Sequence, residues 1–209
     1  MKTYRNNVID LYSRVIEPVG YTEGKEVSFS GSQIQDEFFK AWECIGKFYE
    51  KNPTKHISFL EIGAYKGLWA LALSEFCEEK GLTYDYTTVT YMLQDPNNNP
   101  LYEVVKYYEE IGQSFTLINS PSQDRAVLEK LKSSYDIVFI DGDHTYEMVK
   151  QDIAIYAPMA KHMLLFHDIR PVFTTSSCGV YEAIQDFDLR LDEQIIVDGD
   201  WMGIGIHYV

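Results

Sequence analysis

Two kinds of hydrophobic periodicity alternate along most of the chain. Short apolar or β-rich runs, typical of strands, occupy residues 57–62, 84–93, 115–118, 135–140 and 163–166. Between and after them, apolar residues recur every three or four positions, as in amphipathic helices, over residues 68–76, 101–111, 126–132, 146–156 and 180–187. Strands that alternate with helices in this way predict an α/β fold built around a parallel sheet.

The two ends of the chain depart from this alternation. Helical periodicity at residues 6–16 and 33–51 precedes the first strand, and Ser32 is a candidate N-cap of the second of these helices. Two β-like runs, at residues 194–197 and 204–209, close the chain and predict an antiparallel hairpin. No change in composition resembles a linker, so we expect one domain.

Composition narrows the class of partner. The chain has 209 residues and a formal net charge of −14, and such an acidic chain is repelled by phosphate backbones and anionic membranes. We therefore expect a small-molecule partner, and neither nucleic acid nor a membrane. Three scattered cysteines favour reduced thiols, and neither a signal peptide nor a membrane span is evident, which predicts a cytoplasmic protein. The sequence leaves open whether it forms a homo-oligomer.

The turn after the first strand has features of a nucleotide-binding turn. Glu61, Gly63 and Gly67 form an E-x-G-x-x-x-G pattern between the strand and the next helix. The glycines leave the backbone accessible, and a helix N-terminus offers unpaired N–H groups. Because a carboxylate repels a diphosphate, the pattern favours a neutral or cationic ligand over the dinucleotides of G-x-G-x-x-G proteins. The alternative is an ordinary strand-ending turn with two incidental glycines.

Acidic and imidazole side chains follow the fourth and fifth predicted strands. Asp141 and His144 come after the fourth strand, and His167 and Asp168 after the fifth. If the two strands are neighbours, their ends lie about 5 Å apart and these side chains converge. Divalent cations such as magnesium prefer carboxylate oxygens, and an imidazole ligand widens the choice toward manganese, iron or zinc. The alternative is turn and capping chemistry, with Asp143 as a helix N-cap.

Other polar and aromatic residues have simpler interpretations. We interpret Asp124 as a helix-start residue and Asp152 as a helix-surface residue. Trp42 and Trp69, at helical spacing with other apolar residues, are predicted core residues.

Four segments together resemble the class I S-adenosylmethionine-dependent methyltransferases: FLEIGAYKG, YDIVFIDGDHTYEMVKQDI, LLFHD and WMGIGI. Within that family the chain is similar to the methyltransferase-24-like branch, near macrocin-type sugar O-methyltransferases and cephalosporin-hydroxylase-like proteins. The resemblance implies an α/β, Rossmann-like seven-strand sheet, mostly parallel with an antiparallel C-terminal hairpin and helices on both faces. It also implies one class I methyltransferase-like domain over residues 1–209, with an N-terminal helical cap (1–55) and a Rossmann-like core (56–209).

The resemblance further implies S-adenosyl-L-methionine as the cofactor. The turn after the first strand would line its methionine and ribose region, and the end of the third strand would lie by its adenine. The cofactor-binding residues implied in this way are Glu61, Gly63, Ala64, Tyr65, Gly67, Asn119, Ser120 and Asp141.

The chemistry that the resemblance implies is O-methylation of a small hydroxylated acceptor, either sugar-like or another metabolite. Asp141, His167 and Asp168 would hold Mg²⁺ or another divalent metal, and Asp141 or His144 would be the general base. Two departures from the family pattern are visible: the first acid after the second strand is Asp95, later than usual, and His167 stands where related metal sites often have a carboxylate. The alternative function is a catalytically inactive methyltransferase-fold protein that binds the cofactor or a partner.

Overall fold

The computed structural model describes residues 2–16, 35–91, 99–170, 178–197 and 202–209. The helices are α1 (Lys2–Ile16), α2 (Gln35–Lys51), α3 (Leu68–Lys80), α4 (Pro100–Glu110), α5 (Arg125–Leu128), α6 (Tyr146–Tyr156) and α7 (Val180–Asp186). The strands are β1 (His56–Ile62), β2 (Thr83–Thr90), β3 (Ser114–Asn119), β4 (Tyr135–Ile140), β5 (Ala160–His167), β6 (Glu193–Ile195) and β7 (Ile204–Tyr208).

The strands form one sheet in the order β3-β2-β1-β4-β5-β7-β6. The first five strands are parallel, and β7 runs antiparallel to both β5 and β6. This confirms the predicted mostly parallel, seven-strand sheet with an antiparallel C-terminal hairpin. Chain order reverses at β1, which has β2 on one side and β4 on the other. In such sheets the ligand crevice lies outside the carboxyl ends of the strands at this point.

Alternating strand residues supply two separate cores, one on each face of the sheet. Phe59 belongs to the core shared with α1, α2, α3 and α4, where it packs with Trp42 and Trp69. Its neighbour Leu60 belongs to the opposite core, shared with α5, α6 and α7. Each large side chain buried in this way contributes about 1.5–3 kcal/mol. The helices on both faces and the core positions of the two tryptophans are confirmed.

Several element boundaries differ from those predicted. Helix α1 begins four residues earlier because Tyr4 is buried, and its hydroxyl donates to the Ala72 carbonyl at 2.9 Å. Helix α5 is a single turn, capped by Asp124, whose side chain accepts from Ala126 N. Strand β2 ends at Thr90, and the last predicted residues of that strand, 92–93, lie outside the described residues, as do Ser32 and Asp95.

Disulfides do not contribute to the fold, since Cys44, Cys77 and Cys178 are all free thiols. None of the helices in the described ranges combines the length and apolar character that crossing a membrane requires.

Candidate active site

Backbone hydrogen bonds continue past the strand ends and bring the loops of the carboxyl edge together. Asp141 N donates to Ile62 O, and Gly63 N donates to Val89 O, each at 2.8 Å. The loops after β1 and β4 therefore leave the sheet side by side, at the point where chain order reverses.

Two glycines of the β1–α3 turn are required by packing between elements. Gly63 has a φ of 92°, and a Cβ added there would lie 2.1 Å from the Asp141 carbonyl oxygen. Gly67 has a φ of 74°, and its Cβ would lie 3.0 Å from side-chain atoms of Leu101 and Val104 in α4. The sequence suggested that these glycines make room for a ligand. The structure adds that they let the β4 loop and α4 approach the turn.

Glu61 lies at the base of this turn, inside the core. Its side chain is buried, and its Oε2 accepts a short hydrogen bond from the Tyr86 hydroxyl. Burial raises the pKa of the Glu61 carboxyl well above its usual range, and the bond from Tyr86 offsets this only in part. The repulsion of a diphosphate expected from the sequence is therefore weakened, because burial favours the neutral acid.

Tyr86→Phe is expected to lower the free energy of unfolding by about 1–3 kcal/mol, because the buried Glu61 oxygen loses its donor. Denaturant unfolding measures this change. The matched control is Tyr91→Phe, since the Tyr91 side chain is 65% exposed and its replacement should change stability by less than about 0.5 kcal/mol. Equal effects of the two substitutions would contradict a stabilising role for the Tyr86–Glu61 bond.

The predicted acid and imidazole residues converge in one cluster. Strands β4 and β5 pair in register up to Ile140 and Phe166, which places Asp141 beside His167. His167 Nδ1 lies 3.0 Å from Asp141 Oδ1. His144 Nε2 lies 3.4 Å from the same Asp141 oxygen, and His144 Nδ1 lies 2.5 Å from Asp168 Oδ2.

Burial and charge act in opposite directions on the pKa values of this cluster. Burial lowers the pKa of His144, but hydrogen bonds and charges from Asp141 and Asp168 raise it to about 10. Burial likewise lowers the pKa of His167, but Asp141 above all raises it to about 9. Burial raises the pKa of Asp141, but His167 and His144 outweigh it and hold that pKa below its usual range.

The donor atoms of this cluster fit a divalent cation. One ligand atom each from Asp141, His144 and His167 lie within 4.8 Å of one another. His167 Nδ1 faces Asp141, and His167 Nε2 is buried without a hydrogen-bond partner among the described residues. Two imidazoles and a carboxylate are more typical of manganese, iron or zinc than of magnesium, which prefers oxygen ligands.

The backbone at Asp168 is unusual. Its φ of 59° lies in the left-handed region, which non-glycine residues seldom adopt and which costs about 1 kcal/mol or more. Such residues cluster at functional sites. Asp143, in contrast, makes a local turn contact, since its Oδ1 accepts from Thr145 N at 2.8 Å just before α6. The N-cap of α6 is Thr145, so the predicted N-cap role of Asp143 is wrong.

The other predicted cofactor residues lie at the same edge of the sheet. Asn119 ends β3 with an exposed side chain, and Ser120 N continues the ladder to Thr90 O at 3.0 Å. Tyr65 is exposed, whereas Ala64 is buried and offers no accessible side chain. The edge therefore presents Asn119, Ser120 and Tyr65 around the β1–α3 turn.

Sequence reasoning missed three buried polar residues near this edge. Tyr86 and Glu37 were not singled out, yet Glu37 is fully buried in α2 and its charge contributes to the raised pKa of His167. The interpretation of Asp152 as a helix-surface residue is wrong, because it is fully buried. The signal for Asp152 was present: it lies three residues after Val149 and four before Tyr156, on the buried stripe of α6.

The strand order, the antiparallel β7 and the site at the reversal point define the class I S-adenosylmethionine-dependent methyltransferase fold. A sequence model described as a methyltransferase domain matches residues 60–169, just over half of the 209 residues. The chain therefore belongs to this methyltransferase family, as the four sequence segments indicated. No curated protein sequence matches the chain significantly.

Solved structures of methyltransferases share the fold at low sequence identity. The O-methyltransferase NovP aligns with a TM-score of 0.64 and 10% identity, over 99% of this chain and 98% of its own. An O-methyltransferase from Bacillus cereus, in complex with S-adenosylhomocysteine (SAH), aligns with a TM-score of 0.60 and 12% identity, over 99% and 90% of the two chains. MycE from the mycinamycin biosynthetic pathway, in complex with Mg, SAH and mycinamycin VI, aligns with a TM-score of 0.53 and 14% identity, over 95% and 53%.

Proposed function

We propose that the protein transfers a methyl group from S-adenosylmethionine to a hydroxyl of a small molecule, at a site that holds a divalent cation. The observation that carries this proposal is the cluster of Asp141, His144 and His167 at the carboxyl edge. The backbone of Asp141 also touches the Gly63 turn. One residue thus connects the cation site with the turn that would hold the cofactor.

The geometry supports a division of roles within the cluster. Asp141, His144 and His167 would be the cation ligands. Asp168 Oδ2 lies 2.5 Å from His144 Nδ1, and ligating histidines typically give their second ring nitrogen to such a carboxylate, which fixes the orientation of the ring. The sequence-based hypothesis made Asp168 a ligand and left His144 as a candidate base. We propose instead that Asp168 orients His144.

Asp141 is the better candidate for accepting the proton of the acceptor hydroxyl. His144 has one ring nitrogen beside Asp168 and the other 3.4 Å from Asp141. A carboxylate can accept several hydrogen bonds at once, so Asp141 can bind a hydroxyl and take its proton during transfer. When bound, a divalent cation lowers the pKa of such a hydroxyl, and S-adenosylmethionine supplies an electrophilic methyl group.

The acidity of the chain supports a cationic methyl donor. Its formal net charge is −14. A sulfonium ion is attracted to such a chain, whereas a dinucleotide is repelled. The neighbours also support the proposal: NovP and the Bacillus cereus protein are described as O-methyltransferases, the Bacillus cereus protein was solved with SAH, and MycE was solved with both Mg and SAH.

The cation site can be tested separately from turnover. Titration of the protein with Mn²⁺, followed by electron paramagnetic resonance, is expected to show one bound ion. His167→Ala should weaken Mn²⁺ binding by at least about 10-fold, because it removes a ligand. The matched control is His162→Ala, since His162 lies on the same strand but near its amino end, 3.8 Å from Asp136. Binding that is absent, or equally strong in both variants, would contradict the proposed cation site.

Methyl transfer is tested with a panel of phenols and sugars, by detecting SAH formation from S-adenosylmethionine with Mn²⁺ or Mg²⁺ and again with a chelator. We expect formation of SAH that depends on both the acceptor and the cation. Cofactor binding without transfer to any member of the panel would favour the inactive, cofactor-binding alternative.

A further inference from the structure

A buried carboxylate that the proposed chemistry does not use lies on the α6 side of the sheet. Asp152 is completely buried. Its Oδ1 accepts hydrogen bonds from Ser122 Oγ at 2.7 Å and from Gln123 Nε2 at 2.9 Å. Both donors belong to the loop that follows β3, so one oxygen of Asp152 ties that loop to α6.

The other oxygen of Asp152 faces the loop that follows β4. Asp152 Oδ2 is buried and has no hydrogen-bond partner among the described residues. A Cβ added to Gly142 would lie 3.3 Å from it, so the carboxylate lies directly against the backbone of that glycine. A single side chain thus contacts the two loops that leave the carboxyl edge on either side of β1 and β2.

We propose that Asp152 is a positioning residue for the cofactor: it holds the β3 loop at Ser122 and Gln123 against Gly142, and so sets the adenine side of the pocket. This inference rests on the proposed function and on the placement of the preceding residues Asn119 and Ser120 by the adenine, which the family resemblance implies. Asp152 would act through these loops, without touching the reacting atoms.

A purely structural role explains this carboxylate less well. Burial raises the pKa of Asp152 to about 6, the bonds from Ser122 and Gln123 offset this in part, and the charge of Asp143 raises it further. Because the folded pKa lies above the usual unfolded value of about 3.9, the contribution of this group to stability is full below about pH 4 and is lost as the pH rises through 6. At neutral pH the ionised side chain therefore destabilises the fold.

A second hydrogen bond from the same helix, α6, also holds the β3 loop. The Tyr156 hydroxyl donates a short hydrogen bond to the Ser122 carbonyl. The neutral Tyr156 hydroxyl is thus enough to anchor the loop. The additional, ionisable carboxyl of Asp152 therefore needs another explanation. In the part of the chain that the structure describes, the titratable groups that face Asp152 are Asp143, from the β4 loop, and Tyr156, from α6.

The test is calorimetric titration with SAH between pH 5.0 and 7.5, for the wild type and for Asp152→Asn. The asparagine keeps an acceptor for Ser122 and Gln123 but cannot ionise, and ionised acceptors bind donors about twice as strongly as neutral ones. We expect the wild-type dissociation constant for SAH to rise about 3- to 10-fold on acidification, with a midpoint near pH 6. This change corresponds to about 0.7 to 1.4 kcal/mol of binding free energy. The variant should show the weaker affinity at every pH.

Two further variants separate positioning from folding. Ser122→Ala removes one donor and should also weaken SAH binding, whereas Asp186→Asn, which alters the surface contact of Tyr146 with α7, should not. Thermal unfolding at pH 7 should show Asp152→Asn to be at least as stable as the wild type.

The possible failures are distinguishable. If the Asp152→Asn variant binds SAH with the wild-type affinity at every pH, this inference is wrong and the proposed function is unaffected. A wild type that does not bind SAH at any pH would overturn both.

Discussion

Asp141→Asn is expected to lower the rate of methyl transfer by about 10²- to 10⁴-fold, the range typical of losing a general base. Asp141 Oδ1 lies 3.0 Å from His167 and 3.4 Å from His144, so the substitution removes the negative charge at the centre of the cluster. Affinity for SAH should change less than about threefold, because the β1–α3 turn is untouched. Steady-state kinetics and calorimetric titration measure the two quantities separately.

The matched control for this substitution is Asp143→Asn. Asp143 is exposed in the same loop, and its contact with Thr145 N is one that an asparagine can also accept. Its activity should stay close to that of the wild type. If Asp141→Asn lost SAH affinity and transfer rate equally, Asp141 would belong to the cofactor pocket, and the proposed role at the acceptor hydroxyl would be wrong.

Gly63→Ala is expected to destabilise the protein by about 3 kcal/mol or more and to abolish SAH binding. The added Cβ would lie 2.1 Å from the Asp141 carbonyl oxygen and 2.7 Å from Gly142 Cα. Because both are backbone atoms, the β4 loop must move, and the cofactor turn and the acid–imidazole cluster change together. Denaturant unfolding and SAH titration measure the two effects.

Gly81→Ala separates this steric clash from backbone strain. Gly81 also has a positive φ, of 66°, but a Cβ there would meet nothing within 4 Å. Its substitution should cost only the strain of a left-handed residue, about 1 kcal/mol, and should leave SAH binding intact. Similar losses in the two variants would mean that contact between the two loops does not matter.

The fold could be predicted from local patterns because period-2 and period-3.6 segments alternate with few interruptions. Strand β4, YDIVFI, is apolar almost throughout, as expected for a strand covered on both faces. Element ends were less predictable. The start of α1 depends on Tyr4, whose partner Ala72 is 68 residues away, and no local signal encodes that contact.

For the candidate site, the sequence was sufficient to predict which residues converge. Asp141 directly follows β4 and His167 ends β5, so the adjacency of these two parallel strands was sufficient to bring them together. The pairing within the cluster was not predictable. The contact of Asp168 with His144 depends on the left-handed backbone at Asp168, and no sequence pattern predicted that conformation.

Buried polar residues were the main omission, for a physical reason. A carboxylate is more often solvated than buried, so Asp152 was assigned to the surface although helical spacing from Val149 placed it on the buried stripe. Its burial is offset in part by hydrogen bonds from Ser122 and Gln123, which come from another loop. Glu61 and Tyr86 compensate each other across β1 and β2 in the same way. The hydrogen-bond donors of these buried carboxyl groups are far away in sequence, and the order of the strands brings them together.

The cofactor site is tested most directly by calorimetric titration of the wild-type protein with SAH. We expect one binding site per chain with a dissociation constant of about 1–100 μM, within the range of typical enzyme ligands, and loss of that binding in Gly63→Ala but not in Gly81→Ala. Absence of binding at about 1 mM SAH would contradict a cofactor site at the carboxyl edge of β1 and β4, and with it the proposed methyl transfer.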